Sequence, residues 1–314
     1  MIETRITEML GIRYPVFQGG MAWIADGRLA AAVSEGGGLG IIAAGNAPGT
    51  YVRAEIRAAR ARTKRPIGVN IMLLSPYADE VARVVAEERV AVVTTGAGNP
   101  SRYMKDWLAA GIRVIPVVAS VAMAKLMTRL GAAALIAEGG ESGGHVGELT
   151  TMVLVPQIVD VSDLPVIAAG GIADGRGVAA ALMLGAEGVQ MGTRFLSACE
   201  CGIHPAYKEK VVKATDLCTV VTGKRLGHPV RSLRTPFSRA YLEAEYGGMP
   251  DAELEAMATG ALRLAVQEGD AAHGCFLSGQ CAALVRKEQP AAEIVREVME
   301  EAEPLLLRAA KWVK

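Results

Sequence analysis

Eight short apolar runs recur along the chain, and most of them are separated by stretches rich in Ala, Arg and Glu. The runs are almost uninterrupted, whereas half-exposed strands alternate between apolar and polar residues. Uninterrupted runs of this length are typical of parallel strands that are covered on both faces. We therefore predict eight buried strands, at residues 15–18, 39–43, 67–71, 91–95, 114–118, 134–137, 166–169 and 188–191.

The stretches between the runs have the composition of helices, for example at 50–62, 77–88, 101–110, 121–130 and 176–184. Strand–helix alternation repeated eight times predicts an α/β fold that closes into a (β/α)8 TIM barrel, which needs about 250 residues. The composition, with 51% hydrophobic but only 4% aromatic residues, suits a buried parallel sheet wrapped by helices. An open, doubly wound sheet is the alternative architecture.

The alternation stops shortly before residue 202. We expect residues 1–201 and 270–314 to form the barrel, with residues 202–269 as a small helical cap domain inserted after the eighth strand. Within this insertion, basic residues concentrate between 205 and 240, and acidic residues follow them. The tail at 291–312 has the pattern of one long amphipathic helix, which we expect to pack on the outside of the barrel.

Charge and composition argue against several classes of protein. The chain carries 33 basic and 33 acidic residues, whereas a general nucleic-acid binder usually has a basic excess. The first ten residues, MIETRITEML, lack the apolar core of a signal peptide, and no apolar run reaches the roughly 18 residues of a membrane span, so we expect neither. The five cysteines match no disulfide framework or zinc site, so we expect reduced thiols, no metal site and a cytoplasmic location.

Two glycine-rich segments follow the seventh and eighth predicted strands. Gly170 and Gly171 end the seventh, and Gly192 and Thr193 follow the eighth. Loops at these two places commonly form the phosphate site of a barrel, because backbone N–H groups without side chains in the way suit a dianion. We predict a phosphate site there; the alternative is that the glycines only make tight turns.

A histidine follows the sixth predicted strand in a glycine-rich loop at 138–147. His145 is the one histidine of four that lies in such a loop at the carboxyl end of a strand, where it could exchange a proton near neutral pH. We predict that His145 is catalytic. The alternative is a loop residue that is hydrogen-bonded to a carbonyl group.

Other strand ends offer groups that could contact a flat ligand. Asn70 lies near the end of the third strand, where a buried amide needs partners; a structural bond to the backbone is the alternative. Glu138 could accept a hydrogen bond from a sugar hydroxyl, and otherwise is a solvated loop carboxylate. Gly20 and Met21 follow the first strand and could line a ring through their backbone.

Together, these segments resemble a known family. The motifs QGGM at 18–21, GVN at 68–70, GGH at 143–145, AAGG at 168–171 and QMGT at 190–193 resemble the nitronate monooxygenase superfamily of FMN barrels. Within it, the chain resembles the bacterial enoyl-acyl carrier protein reductase II branch. This second resemblance is carried by YPVFQGGMAW at 14–23, VNIMLLSP at 69–76, TTGAGNP at 94–100, PAYKEK at 205–210 and GH at 227–228.

The resemblance implies non-covalent FMN, NADH or NADPH as reductant, and an enoyl thioester on acyl carrier protein as substrate. It also implies a homodimer, leaves open a monovalent cation, and makes His145 the active-site histidine. The cofactor-binding residues that it implies are Gly20, Met21, Asn70, Glu138, Gly170, Gly171, Gln190, Gly192, Thr193, Gly279 and Gln280.

The basic part of the cap could dock the acidic carrier protein, through Lys208, Lys210 and Lys213. The alternative is a solvated face that the following acidic stretch balances. Two other functions stay open. The same barrel could be a nitronate monooxygenase that oxidises alkyl nitronates with O2, or a binding protein for a flavin or a phosphate ligand without activity.

Overall fold

Eight parallel strands close into a barrel in the computed structural model, which describes residues 2–312. The closed sheet confirms the predicted TIM barrel over the open alternative. Numbered along the chain, the strands are β1 (Val16–Gln18), β2 (Leu39–Ala43), β3 (Ile67–Met72), β4 (Val92–Gly96), β5 (Arg113–Val118), β6 (Leu135–Glu138), β7 (Gly144–His145), β8 (Val166–Ala169), β9 (Gly188–Met191), β10 (Thr219–Thr222) and β11 (Val230–Leu233).

The barrel runs β1-β2-β3-β4-β5-β6-β8-β9, and β9 pairs with β1 to close it. The helices are α1 (Arg5–Leu10), α2 (Gly27–Glu35), α3 (Gly49–Arg60), α4 (Ala78–Glu87), α5 (Ser101–Ala109), α6 (Val121–Arg129), α7 (Thr151–Val159), α8 (Gly175–Met183), α9 (Pro205–Val212), α10 (Pro236–Tyr246), α11 (Asp251–Ala258), α12 (Ala261–Glu268) and α13 (Ala291–Leu307). Short 3-10 helices lie at Thr193–Ser197, Gln280–Leu284 and Ala309–Trp312.

Local sequence explains where several barrel helices begin. The side chains of Asp26, Ser120 and Asp174 cap the first turns of α2, α6 and α8 by accepting backbone N–H groups. Such caps satisfy donors that have no partner inside the helix. Strands such as β2 and β8 are buried at every residue, because helices cover one side and the barrel interior the other.

The barrel core has two layers. Inside the barrel, Phe17, Ile41 and Ile167 belong to one buried apolar cluster, to which α1 adds Ile6. Outside it, the helices pack on the opposite faces of the strands. A methyl group on Gly40 would lie 1.9 Å from the Ala30 carbonyl oxygen, so glycine is what lets α2 lie this close to β2.

The last long helix packs against the outside of the barrel, as predicted. The Gly175 N–H at the start of α8 donates to Glu301 on α13 at 2.9 Å. At the other end of α13, a methyl group on Gly36 would lie 2.6 Å from the Ala292 Cα atom. The helix thus lies against both α2 and α8, and it ends at Leu307 rather than continuing to residue 312.

Residues 202–269 are not wholly helical, in contrast to the prediction. They contain four helices and the antiparallel pair β10–β11, to which β7 adds a third strand. The two strands were missed because each has only four residues and finds its partner by a non-local contact. The division of the chain into barrel and cap stays a prediction, and its residues 1, 313 and 314 lie outside the described part. None of the helices within 2–312 combines the length and apolarity that a bilayer span requires.

Candidate active site

The carboxyl ends of the barrel strands surround a cavity of about 310 Å3. This volume falls in the range of about 300–1,000 Å3 that is usual for small-molecule sites. The cavity brings together all but one of the site residues predicted from sequence. These are His145, Gly20, Met21, Asn70, Glu138, Gly170, Gly171, Gln190, Gly192, Thr193 and Gly279.

Gln280 is the predicted site residue that does not line the cavity. Its side chain is exposed, and its backbone N–H donates to the Glu141 carbonyl oxygen at 2.9 Å. The preceding residue, Gly279, does line the cavity, and its N–H donates to Thr193 Oγ1 at 2.8 Å. The return segment after residue 270 therefore borders the cavity through Gly279.

Glu138 ends β6 and faces the cavity. Burial raises the pKa of its carboxyl group to about 7. The nearby Ser142 hydroxyl opposes this rise, although it forms no hydrogen bond of normal geometry. Near neutral pH the carboxyl group is partly protonated, so it can donate as well as accept a hydrogen bond. It does not behave as a solvated loop carboxylate.

Asn70 is held by a neighbour that the sequence did not single out. Its Nδ2 donates to Thr94 Oγ1 on β4 at 2.9 Å, so Oδ1 is the atom that it offers as an acceptor. The parallel register places Thr94 directly beside Asn70, and Thr94 is fully buried. A methyl group on Gly20 would lie 2.3 Å from Asn70 Cβ, so only glycine lets the loop after β1 pass here.

The loops after β8 and β9 form the glycine-rich part of the wall. Gly170 and Gly171 adopt left-handed backbone conformations, with φ of 99° and 76°, which L-residues with a side chain rarely adopt. A methyl group on Gly170 would lie 2.7 Å from the Gly139 carbonyl oxygen. At Gly192 the nearest atom to such a methyl group is Met21 Sδ at 3.6 Å, so this side of the loop is open.

His145 lies in β7 and remains exposed at the mouth of the cavity. The sequence predicted a histidine in a flexible glycine loop, but the backbone here pairs with Val230 of β11. Partial burial lowers the pKa of His145, and the positive charge of His228 lowers it further. The protonated imidazole is therefore a stronger acid than an isolated histidine.

Among the lining residues, Ser142 and, from the return segment, Leu277 and Cys281 were missed because they carry no distinctive motif. Gly143 and Gly144 of the GGH motif also line the cavity, next to His145. Burial raises the pKa of the Cys281 thiol to about 12, so it is not a nucleophile at neutral pH. Among residues 2–312, no group of three or more His, Cys, Asp or Glu side chains could hold a metal ion.

These residues fit the FMN that the resemblance implies. Ser142 Oγ is buried and has no hydrogen-bond partner among the described residues, so a polar group of a bound ligand would supply the missing hydrogen bond. Glu138 and Asn70 offer hydrogen bonds to hydroxyl and amide groups on a ligand. The loops after β8 and β9 offer glycine backbone of the kind that binds phosphate.

The structure corrects the set of lysines expected to dock a carrier protein. Lys208 is buried, and its Nζ donates to the Ala198 carbonyl oxygen at 2.8 Å and lies 3.3 Å from Glu288. It is therefore not available on the surface. Lys210 and Lys213 line a separate surface groove of about 590 Å3, together with Arg234 and the exposed Leu217.

Comparison with known proteins is consistent with this site. A family model described as nitronate monooxygenase matches residues 3–87 and 75–301. A protein named "Probable nitronate monooxygenase" from Staphylococcus saprophyticus is 33% identical over 355 aligned residues, covering 98% of this chain and 99% of that protein.

Two further relatives share the name "(3aS,4S,5R,7aS)-5-hydroxy-7a-methyl-1-oxo-octahydro-1H-indene-4-carboxyl-CoA dehydrogenase". The one from Rhodococcus jostii is 38% identical over 234 residues and the one from Mycobacterium tuberculosis 39% over 237 residues, in each case 74% of this chain. The matches span about two thirds of the length of these relatives, 66% and 67%.

Two solved structures are similar over nearly the whole chain. FabK from Thermotoga maritima superposes with a TM-score of 0.97 at 50% identity, and the match covers 100% of both chains. A nitroalkane oxidase from Streptomyces ansochromogenes superposes with a TM-score of 0.85 at 27% identity, covering 96% of this chain and 99% of that one.

Proposed function

The chain belongs to the nitronate monooxygenase family, and on that premise we propose that it is an FMN-dependent enoyl-[acyl-carrier-protein] reductase. It reduces the 2,3 double bond of an enoyl thioester with NADH or NADPH, as a step of fatty-acid elongation. The observation that carries the proposal is the similarity to FabK over the full length of both chains. The motifs at 14–23, 69–76 and 94–100 resemble the enoyl-acyl carrier protein reductase II branch and support the same activity.

The names of two relatives support a thioester substrate. Both are called carboxyl-CoA dehydrogenases, and both match 74% of this chain. We take the coenzyme A group in both names as support for a thioester as the functional group that this chain binds. We propose that the thioester enters the mouth of the cavity where His145 is exposed.

The protein's own residues hold the cofactor and move one proton. Bound FMN supplies the hydride-transfer chemistry. Reduction adds a hydride to the β-carbon and a proton to the α-carbon, which gives the saturated thioester and an oxidised nicotinamide. We assign the α-carbon proton to the imidazolium of His145, directly or through one water, since its lowered pKa makes it a ready donor.

Binding and orientation of the cofactor fall to the other lining residues. Asn70, fixed by Thr94, offers Oδ1, and Glu138 offers a carboxyl group that can both donate and accept. Gly170, Gly171, Gly192 and Thr193 hold the phosphate through their backbone in this proposal.

A nitronate monooxygenase is the second candidate function. It is favoured by the family model and by the relative from Staphylococcus saprophyticus, which matches nearly the whole chain. In that case the substrate is an alkyl nitronate or a nitroalkane, and neutral His145 removes a proton from the nitroalkane carbon. In both candidates the substrate binds beside the same cofactor, at the mouth of the cavity where His145 is exposed.

One experiment separates the two candidates. The purified protein is checked for a flavin spectrum, reduced with NADH in the absence of oxygen, and mixed with a 2-enoyl thioester. We expect rapid reoxidation of the flavin and a saturated thioester as product, with parallel lines in initial-rate plots. A flavin that stays reduced with the thioester, in a protein that turns over an alkyl nitronate in air, would overturn the reductase.

We also propose that the groove lined by Lys210, Lys213 and Arg234 docks the acidic carrier protein. The double variant K210E/K213E should raise KM for carrier-bound enoyl substrate about tenfold and leave KM for the coenzyme A thioester unchanged. The matched control is K125E/R129E on α6, which reverses two exposed charges on the barrel. An equal loss with both substrates would contradict docking. The homodimer and the cytoplasmic location stay predictions.

A further inference from the structure

The segment at 139–147 carries His145, and its own side chains hold it mainly at Glu141, which accepts from the Thr151 N–H at 2.9 Å and from Thr151 Oγ1 at 3.0 Å. Five of its nine residues are glycine, at 139, 140, 143, 144 and 147. Glycine leaves the backbone a wide choice of conformations, so such a segment does not fix a side chain by its own propensities. Apart from Glu141, contacts made by other parts of the chain must therefore position the residues around His145.

Strand β11 holds the end of this segment through its backbone. Val230 lies opposite His145, and Arg231 lies opposite Gly144, in an antiparallel ladder. Just beyond, the Val146 N–H donates to the Pro229 carbonyl oxygen at 3.1 Å.

The side chain of Arg231 holds the beginning of the same segment. Its Nη2 donates to the Gly140 carbonyl oxygen at 2.9 Å, and its Nη1 lies 3.3 Å from Thr219 Oγ1 on β10. One residue therefore contacts both ends of a five-residue stretch, with its guanidinium at Gly140 and its backbone at Gly144. Fixing both ends of a short stretch removes most of its conformational freedom.

This junction contains polar groups that are costly to bury. Within residues 2–312, the buried side-chain nitrogen and oxygen atoms without a hydrogen-bond partner are Ser142 Oγ, Arg231 Nε and Ser278 Oγ. The three residues belong to segments that meet here, since the Ser278 N–H donates to the Arg231 carbonyl oxygen at 3.4 Å. An apolar side chain would avoid that cost, so an arginine at this position is better explained by its contacts with the 139–147 segment than by stability.

We infer that Arg231 is a positioning residue for His145. It acts by tying the 139–147 segment to β11, so that the imidazole stands at the mouth of the cavity. The consequence for turnover rests on the proposed function, in which His145 delivers a proton. The contacts of Arg231 with Gly140 and Gly144, called the clamp below, do not depend on the proposed function.

The test compares three variants of the holoenzyme. R231M removes the guanidinium and keeps much of the length of the side chain, whereas R231K keeps the charge and one donor nitrogen. The control is R225M, which removes another arginine that donates to a carbonyl oxygen, that of Glu245 at 2.7 Å, without contact to the 139–147 segment.

For R231M we expect kcat with a coenzyme A enoyl thioester to fall about 10- to 100-fold, while KM changes less than about threefold. R231K should recover part of this loss, since a lysine can still donate to the Gly140 carbonyl oxygen. Exchange of the Val146 amide proton should become at least about tenfold faster in R231M and stay unchanged in R225M.

The two measurements, kcat and amide exchange at Val146, distinguish failure of the proposed function from failure of the clamp. If the wild type does not reduce thioesters, the proposed function is wrong, and amide exchange still decides whether the clamp exists. Unchanged exchange at Val146 in R231M would overturn the clamp. Faster exchange with unchanged kcat would overturn the positioning role, and so would an equal fall of kcat in R231M and R225M.

Discussion

Gly170 and His145 face the same cavity from strands of very different kinds. Gly170 follows β8, which has hydrogen-bonded neighbours on both sides in the barrel, whereas His145 lies in β7, a two-residue strand at the edge of a small sheet. The position of Gly170 is set by the strand–helix repeat of the barrel, whereas the position of His145 depends on a few contacts from β11. Cofactor binding and catalysis should therefore be separable by mutation.

The largest expected effect tests the β7 side of this comparison. In H145A, turnover should fall by about 10²- to 10⁴-fold, as expected for loss of a general acid. Flavin content should equal that of the wild type, because the cofactor loops do not depend on this side chain. In the wild type, turnover should also fall as pH rises through the lowered pKa of His145, and H145A should lose this dependence. A variant that lost flavin would show that the two sides are not separate.

The second test is on the β8 side. In G170A, a methyl group would meet the Gly139 carbonyl oxygen at 2.7 Å in a backbone conformation with φ of 99°. Relief of this clash should displace the loop and weaken FMN binding about 10- to 100-fold, measured by fluorescence titration of the flavin-free protein. The control is G111A, which also has positive φ but no atom within 4 Å of the added methyl group. Equal affinities in the two variants would contradict a role for Gly170 in the cofactor site.

The third test uses the pH dependence of stability that Glu138 of the barrel strand β6 should produce. Its folded-state pKa of about 7 lies above the ordinary value of 4.5, so the folded flavin-free protein holds a proton that the unfolded chain has released between these values. Stability from this group is present below about pH 4.5 and is lost as pH rises to 7. The loss should be on the order of 2 kcal/mol, reduced from the full linkage value because the cavity admits solvent. Thermal unfolding of E138Q should lack this part of the pH dependence; an identical pH profile would contradict it.

The smallest expected effect concerns Thr94, which supports Asn70 from within the barrel. T94V removes one hydrogen bond of about 1 kcal/mol and should weaken FMN binding about fivefold. T95V is the control, because the next residue along a strand points to the opposite face, and Thr95 is equally buried. The Thr94 contact would have no role in binding if both variants bound FMN as the wild type does.

The same contrast explains how much the sequence could predict. The strands at 39–43, 166–169 and 188–191 match the predicted bounds, because strands buried on both faces have a clear apolar pattern. The cavity residues at the strand ends could also be predicted, because the carboxyl ends of all strands of a parallel barrel meet at the same face. The pairing of His145 with Val230 could not be predicted, since β7 has two residues and its partner is more than 80 residues away. Lys208 was expected on the surface for a similar reason, since its burial depends on tertiary contacts with the Ala198 carbonyl group before α9 and with Glu288 of the return segment.

The position of α13 has a consequence for synthesis of the chain. This helix covers surfaces on α2, near the start of the barrel, and on α8, near its end. A nascent chain that has left the ribosome only as far as residue 290 therefore has all eight barrel strands but an uncovered seam in its outer layer. The barrel can complete its outer layer only after α13 has emerged, so folding of the first helices finishes only after residues 291–307 have been translated.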